Sequence, residues 1–84
     1  MVTMVGVDVH KRTHTAVVVD PVGRQLGVRT VRATDAGHRQ LLGWVLREFG
    51  GEVEFAIEDC RHVSTRLERA LLGAGQVVLR VPPK

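Results

Sequence analysis

The sequence predicts an α/β fold: a mixed five-stranded sheet in the order three-two-one-four-five, with both helices on one face. Three observations carry that prediction. Three runs rich in β-branched residues follow one another with only short breaks, which reads as a meander. Two segments with apolar residues at helical spacing then alternate with two strand-like runs, as crossover connections do. Crossovers between parallel strands are right-handed, so two that run in the same direction land both helices on the same side.

The first strand is expected over Val2 to Val9, where nearly every residue is apolar or small. After His10-Lys11-Arg12, Thr13 to Asp20 forms a second strand that ends at Pro21-Val22-Gly23, where proline presets a turn and glycine permits positive φ. Gln25 to Arg32 alternates Leu26, Val28 and Thr30 against Gln25, Gly27 and Arg29, as a half-exposed strand would. Thr34 or Asp35 can cap a helix whose apolar positions are Leu41, Leu42, Val45, Leu46 and Phe49, and Gly50-Gly51 stops it. Glu52 to Ile57 alternates as a fourth strand, with Glu58 at its C-terminal end. A second helix carries Val63, Leu67, Ala70, Leu71 and Ala74 on one side, and Gln76 to Val81 forms the fifth strand before Pro82-Pro83.

This arrangement leaves one sheet face without cover. Buried parallel strands need helices on both sides, so the expectation is an incomplete domain whose chain continues past Lys84, or two copies that bury the face against each other. The 84 residues span at most one domain.

Composition narrows the class further. Hydrophobic residues make up 44% and charged residues 25%, the profile of a globular chain rather than a disordered one. No apolar run approaches the roughly 20 residues of a membrane-spanning helix. The single cysteine, Cys60, excludes an internal disulfide and fits a reducing compartment, so a cytoplasmic location without membrane contact is expected. The net charge is +3, and ten of the twelve basic residues are arginines, which fork onto phosphate oxygens. A nucleic-acid partner and a solvated basic surface are both consistent with that charge.

Asp8 interrupts the apolar run Val5-Gly6-Val7-Asp8-Val9. A buried, unpaired carboxylate there would cost several kcal/mol, so a partner is expected. Glu58 ends the strand that the topology sets beside the first, which brings the two carboxylates to one edge of the sheet. Paired oxygen ligands suit Mg²⁺ or Mn²⁺ and the transfer of a phosphodiester. A salt bridge from Asp8 to Lys11 or Arg12, or backbone hydrogen bonds accepted at the strand end, is the competing structural role, and Asp59 is the rival to Glu58.

The segments Gly6-Val7-Asp8-Val9-His10-Lys11, Val19-Asp20 with Gly23, Ile57-Glu58, and Gly75-Gln76-Val77-Val78 before Pro82 carry a resemblance. Together they resemble the N-terminal domain of the DEDD transposases of bacterial insertion sequences, family one-ten, which includes Piv-type DNA invertases. The resemblance covers essentially the whole chain. It implies a ribonuclease-H-like fold similar to the RuvC resolvase, in which residues 1–84 are the N-terminal part of the catalytic domain. It further implies that Asp8 and Glu58 are catalytic metal ligands for Mg²⁺ or Mn²⁺, and that the partners are DNA, a guide RNA and further copies of the chain. The family's Asp-x-x-Asp pair and its nucleophilic serine are expected beyond Lys84; Ser64, within the second helix, does not match that serine. Where the family commonly has a small residue, Thr and Gly after the glutamate, this chain has Asp59-Cys60-Arg61. The implied parent is a transposase or site-specific recombinase, and the 84 residues alone are expected to be inactive.

His10, Lys11 and Arg12 are read as the rim of this active edge, and Arg61 and Arg66, with Arg69, as a basic face for nucleic acid or for solvent. His10, His14, Cys60 and His62 match no zinc-site spacing. Trp44 falls off the main apolar stripe of its helix and is expected to be partly buried. Two other function classes remain. Actin- and hexokinase-like ATPases begin with a similar aspartate-bearing strand, but their phosphate-binding turn uses glycine and threonine, whereas His10-Lys11-Arg12 is bulky and basic. A non-catalytic nucleic-acid-binding or assembly module is the third.

Overall fold

The computed structural model describes residues 2–58 and 61–82, with the backbone alone at 61 and 62. Seven elements follow in the expected order: β1 (Thr3–Val9), β2 (Thr13–Val19), β3 (Gln25–Arg32), α1 (Asp35–Phe49), β4 (Val53–Glu58), α2 (Arg61–Gly73) and β5 (Val77–Val81). The sheet order is β3-β2-β1-β4-β5, with β1 antiparallel to β2, β2 antiparallel to β3, and β1, β4 and β5 parallel.

All of the core lies on one side of this sheet. Val5, Val7 and Val9 of β1, His14, Ala16 and Val18 of β2, and Val53, Phe55 and Ile57 of β4 are buried against the helices. Leu41 and Val45 of α1 and Leu67 and Leu71 of α2 close the core from the other side. The parity of a strand is fixed by its pairing, because alternate side chains point to opposite faces. Register therefore defines three rows across the opposite, uncovered face. The middle row is apolar or small: Val28, Val17, Gly6, Ala56 and Leu79. The row toward the C-terminal end of β1 runs Thr30, Thr15 and Asp8, then Glu58 and Val81. Thr15 and Thr30 join their hydroxyls at 2.9 Å within that row.

Two expectations shift. Leu26 and Val28 form the apolar side of β3, yet they remain 43% and 49% exposed because pairing with β2 turns that side away from the helices. Gly27, Arg29 and Val31 face the helices instead. Gly27 makes room there for Trp44 and Phe49, which pack edge to face at 5.3 Å between centroids, with the Arg29 guanidinium over the indole. In α1, Leu46 is 41% exposed, and the core positions it was expected to share are taken by Gly37 and His38 one turn from the N-terminus.

Local chemistry fixes the element ends. Asp20 Oδ1 accepts the backbone N–H groups of Val22 and Arg24 at 3.0 and 2.8 Å, closing the β2–β3 hairpin around Gly23 at φ 89°. Thr34 is the cap of α1, its hydroxyl accepting the Gly37 N–H at 3.0 Å. Glu68 of α2 binds the Arg80 guanidinium of β5 through both carboxylate oxygens, and this bond holds its carboxyl below the usual range. The close approach of α1 to the end of β3 depends on Gly37, where a Cβ would stand 1.9 Å from the Arg32 carbonyl oxygen.

His14 and His38 stack face to face beneath α1, with centroids 5.4 Å apart. They are 1% and 3% exposed, and His14 Nδ1 and both His38 nitrogens have no hydrogen-bond partner among the described residues. Burial pushes both below the ordinary imidazole value; His38 lowers His14 further, and the Arg66 charge lowers His38.

Two predictions follow from this packing. Gly37→Ala forces the helix off the Arg32 carbonyl, and equilibrium unfolding should register a loss of about 1–3 kcal/mol; a change within experimental error would show that the contact relaxes freely. For the histidines, the unfolded chain binds protons near pH 6.5 while the folded chain resists them. Stability is then complete above that pH and declines as pH falls below it. Urea unfolding between about pH 7 and 5.5 measures this, and a stability that rises on acidification in that window contradicts it.

Candidate functional site

Register brings the two predicted carboxylates together. Val7 of β1 pairs with Ile57 of β4 in parallel, so Asp8 and Glu58 are the next residues on each strand and leave on the same, uncovered face. Strands in a sheet lie about 4.8 Å apart, which sets the two side chains next to each other. Both are exposed. They border an open hollow of about 390 Å³ whose floor includes the small residues Gly6 and Ala56, with Val17 and Val81 at its sides.

The environment of Asp8 differs from that expected of a charge within an apolar strand. Its side chain is 64% exposed, because the strand alternates and only Val5, Val7 and Val9 point into the core. Water solvates the carboxylate, and the burial penalty does not arise. Its partner is also different: no ion pair to Lys11 or Arg12 is formed, and His10 Nε2 lies 3.1 Å from Asp8 Oδ2, a hydrogen bond that requires the proton on Nε2. His10 thus stands beside Asp8 and holds one carboxylate oxygen.

Among the described residues no group of three or more His, Cys, Asp or Glu side chains converges as a metal site. Among the described residues, Asp8 and Glu58 are the acids that the register sets together. Asp59, Cys60 and the side chains of Arg61 and His62 lie outside the described residues, while His14 is buried on the helix face with His38.

The basic residues gather at the same end of the sheet. Lys11 and Arg12 form the β1–β2 turn, which is closed by His10 N–H donating to the Thr13 carbonyl at 2.9 Å. The Ala33 N–H donates to the Arg12 carbonyl at 2.8 Å and ties this turn to the corner between β3 and α1. Lys11 and Arg66 border one small cavity of about 160 Å³ on the helix side, with His14 and His38 in its wall. Arg66 also pairs with Asp35 at 2.9 Å. A second cavity, of about 470 Å³, is bounded by Lys11, Arg12, Arg32 and Thr34. Arg32 was not singled out as a functional residue from the sequence; its position at the last step of the third strand, two residues after Thr30, was the available signal. Trp44 is half-buried, as expected. No helix among the described residues is long and apolar enough to cross a membrane.

Comparison with known proteins gives two kinds of likeness. The fold is similar to solved structures of the Ppx/GppA protein family from Aquifex aeolicus. One, a crystal structure of a family member, has a TM-score of 0.52 at 11% identity over 98% of this chain and 35% of that one. Another, of the PPX-GPPA enzyme, has a TM-score of 0.51 at 11% identity over 98% and 36%. The chain thus spans about a third of those proteins, and the likeness is one of fold alone. No curated protein sequence matches the chain. A family model described as transposase, of the DEDD insertion-sequence type one-ten, matches residues 5–84, so both ends of the carboxylate pair and the basic turn fall within it. On that match the chain belongs to the DEDD transposase family of bacterial insertion sequences.

Proposed function

We propose that the chain is the N-terminal part of a ribonuclease-H-like catalytic domain of a transposase, and that Asp8 and Glu58 supply two of its divalent-metal ligands. The observation that carries this reading is the β1–β4 register, which sets two solvent-accessible carboxylates side by side on the open sheet face. Membership of the transposase family supports DNA as the substrate.

Mg²⁺ takes six oxygen ligands in a strict octahedron and Mn²⁺ accepts a similar set, so two adjacent carboxylates, each binding through one oxygen, fit two of the six positions. Water and acidic groups elsewhere in the protein complete it. When bound, the ion stabilises the charge that develops on the attacking and leaving oxygens of a phosphodiester. The chain's own residues orient the site: Asp8 and Glu58 point their oxygens over the hollow floored by Gly6 and Ala56, and His10 fixes the rotation of the Asp8 carboxylate. His10, Lys11, Arg12, Arg61 and Arg66 serve as contacts to the nucleic-acid backbone, with DNA and a guide RNA as partners in the cytoplasm. Self-association through the exposed apolar residues of the open face at the β3 edge, Leu26 and Val28, leaves the carboxylates uncovered and accounts for an oligomer.

Titration with Mn²⁺, followed calorimetrically, tests the metal assignment. The chain should bind weakly, and Asp8→Asn or Glu58→Gln should each lower affinity by at least the roughly tenfold that even an outer-shell partner contributes. Metal binding that both substitutions leave unchanged contradicts the assignment. With an incomplete ligand set, the chain is also expected not to cut DNA; metal-dependent cleavage by the purified 84 residues, lost in Asp8→Ala, would show a complete site. Light scattering should detect self-association that rises with concentration, and a monomer throughout argues against the open face as an assembly surface.

A further inference from the structure

The β1–β2 turn and the β3–α1 corner meet at one end of the sheet. The Ala33 N–H to Arg12 carbonyl bond joins them, and Gly37 lets the first turn of α1 lie directly against Arg32. Between them is the cavity of about 470 Å³ bounded by Lys11, Arg12, Thr13, Arg32, Ala33 and Thr34, three of which are cations and none of which is an acid.

Three arginines elsewhere in the fold have carboxylate partners, Arg24 with Asp20, Arg66 with Asp35 and Arg80 with Glu68, while Arg29 lies over the Trp44 ring and Arg39 and Arg47 stand singly on α1. Lys11, Arg12 and Arg32 have none within salt-bridge distance among the described residues, so three like charges stand around one hollow without compensation. Like charges held together repel, and a fold that ties them in place by backbone bonds suits an anionic ligand. Two hydroxyl side chains, Thr13 and Thr34, also border the cavity, though the Thr34 hydroxyl already accepts the cap bond.

Direction decides what kind of anion. Thr13 pairs with Arg32, and Thr15 pairs with both Thr30 and Asp8, so Arg32 leaves the sheet on the carboxylate face, one row beyond Thr30. It is two strands, about 10 Å, to the side of Asp8. A linear polyanion passing over a metal ion at the carboxylates would carry a phosphate further along the strand over this hollow, whereas a single small anion would use only one of the two places.

We propose that Lys11, Arg12 and Arg32 form a subsite for the phosphodiester backbone of a single nucleic-acid strand, leading it onto the Asp8–Glu58 face. The subsite rests on the reading of the chain as part of a strand-transfer domain. It reads the backbone rather than the bases, since guanidinium and ammonium groups meet phosphate oxygens without regard to sequence.

Fluorescence anisotropy with a labelled single-stranded oligonucleotide of mixed sequence tests the subsite. The measurement is made in EDTA, so failure of the metal assignment leaves it untouched. Each lost phosphate contact lowers the slope of log affinity against log salt by about 0.7 for a single strand. Arg12→Gln/Arg32→Gln should therefore reduce that slope by about 1.4, while Arg12→Lys/Arg32→Lys retains most of it. Arg39→Gln/Arg47→Gln, on α1, removes the same charge elsewhere and should leave it near the parent value. An equal loss in the two glutamine variants would overturn the subsite, because binding would then follow net charge. Displacement of the oligonucleotide by inorganic phosphate, beyond the effect of chloride at equal ionic strength, would overturn the strand as occupant and leave a small-anion site. Thermal unfolding followed by circular dichroism confirms that each variant is folded before its slope is compared.

Discussion

The parallel pairing of β1 with β4 is the constraint on which the rest of the structure depends. It sets the hand of the crossover through α1, and the same hand in the β4–α2–β5 unit brings α2 to the same side. Every large buried side chain then falls on that side, and the sheet keeps one open face. The same pairing also aligns residue 8 with residue 58. Core packing and the carboxylate pair are two consequences of one register: the valines and Ile57 that anchor β1 and β4 to the helices are the odd steps of each strand, and the acids are the even ones. A slip of one residue in either strand would bury that strand's acid and expose its core residues.

Much of this was legible in the sequence because it depends on local periodicity and on chirality. The seven elements, the turn at Pro21-Val22-Gly23, the strand order and the one-sided helix cover follow from such patterns, and the structure agrees with them within a residue or two at each end. What was not legible depends on which side of a strand faces the helices. The apolar residues of β3 suggested a buried side, yet pairing with β2 points Val28 outward and gives the inner side to Gly27, Arg29 and Val31. Asp8 looked like a charge inside a core strand for the same reason; alternation exposes it.

Other features depend on contacts between distant segments. His14 and His38 are twenty-four residues apart and come from a strand and a helix, so no spacing rule could pair them. Arg32 gains its setting from the bond between Ala33 and Arg12 and from the approach of α1 at Gly37. The resulting end of the sheet has a division of charge: carboxylates on the open face at β1 and β4, uncompensated cations around the adjacent turn and corner. That juxtaposition suits the proposed reading, in which a phosphate chain lies beside a metal ion.

The central claim is that one divalent ion binds between Asp8 and Glu58, and its location is the most direct test. Paramagnetic broadening by substoichiometric Mn²⁺ in the two-dimensional NMR spectrum of the labelled chain measures that location. The account predicts that the amide resonances of Val7, Asp8, Ile57 and Glu58 broaden first, with those of Leu41 and Leu67 on the helix side least affected. Broadening centred instead on Glu48 and Glu52, or spread evenly over all acidic residues, would contradict it.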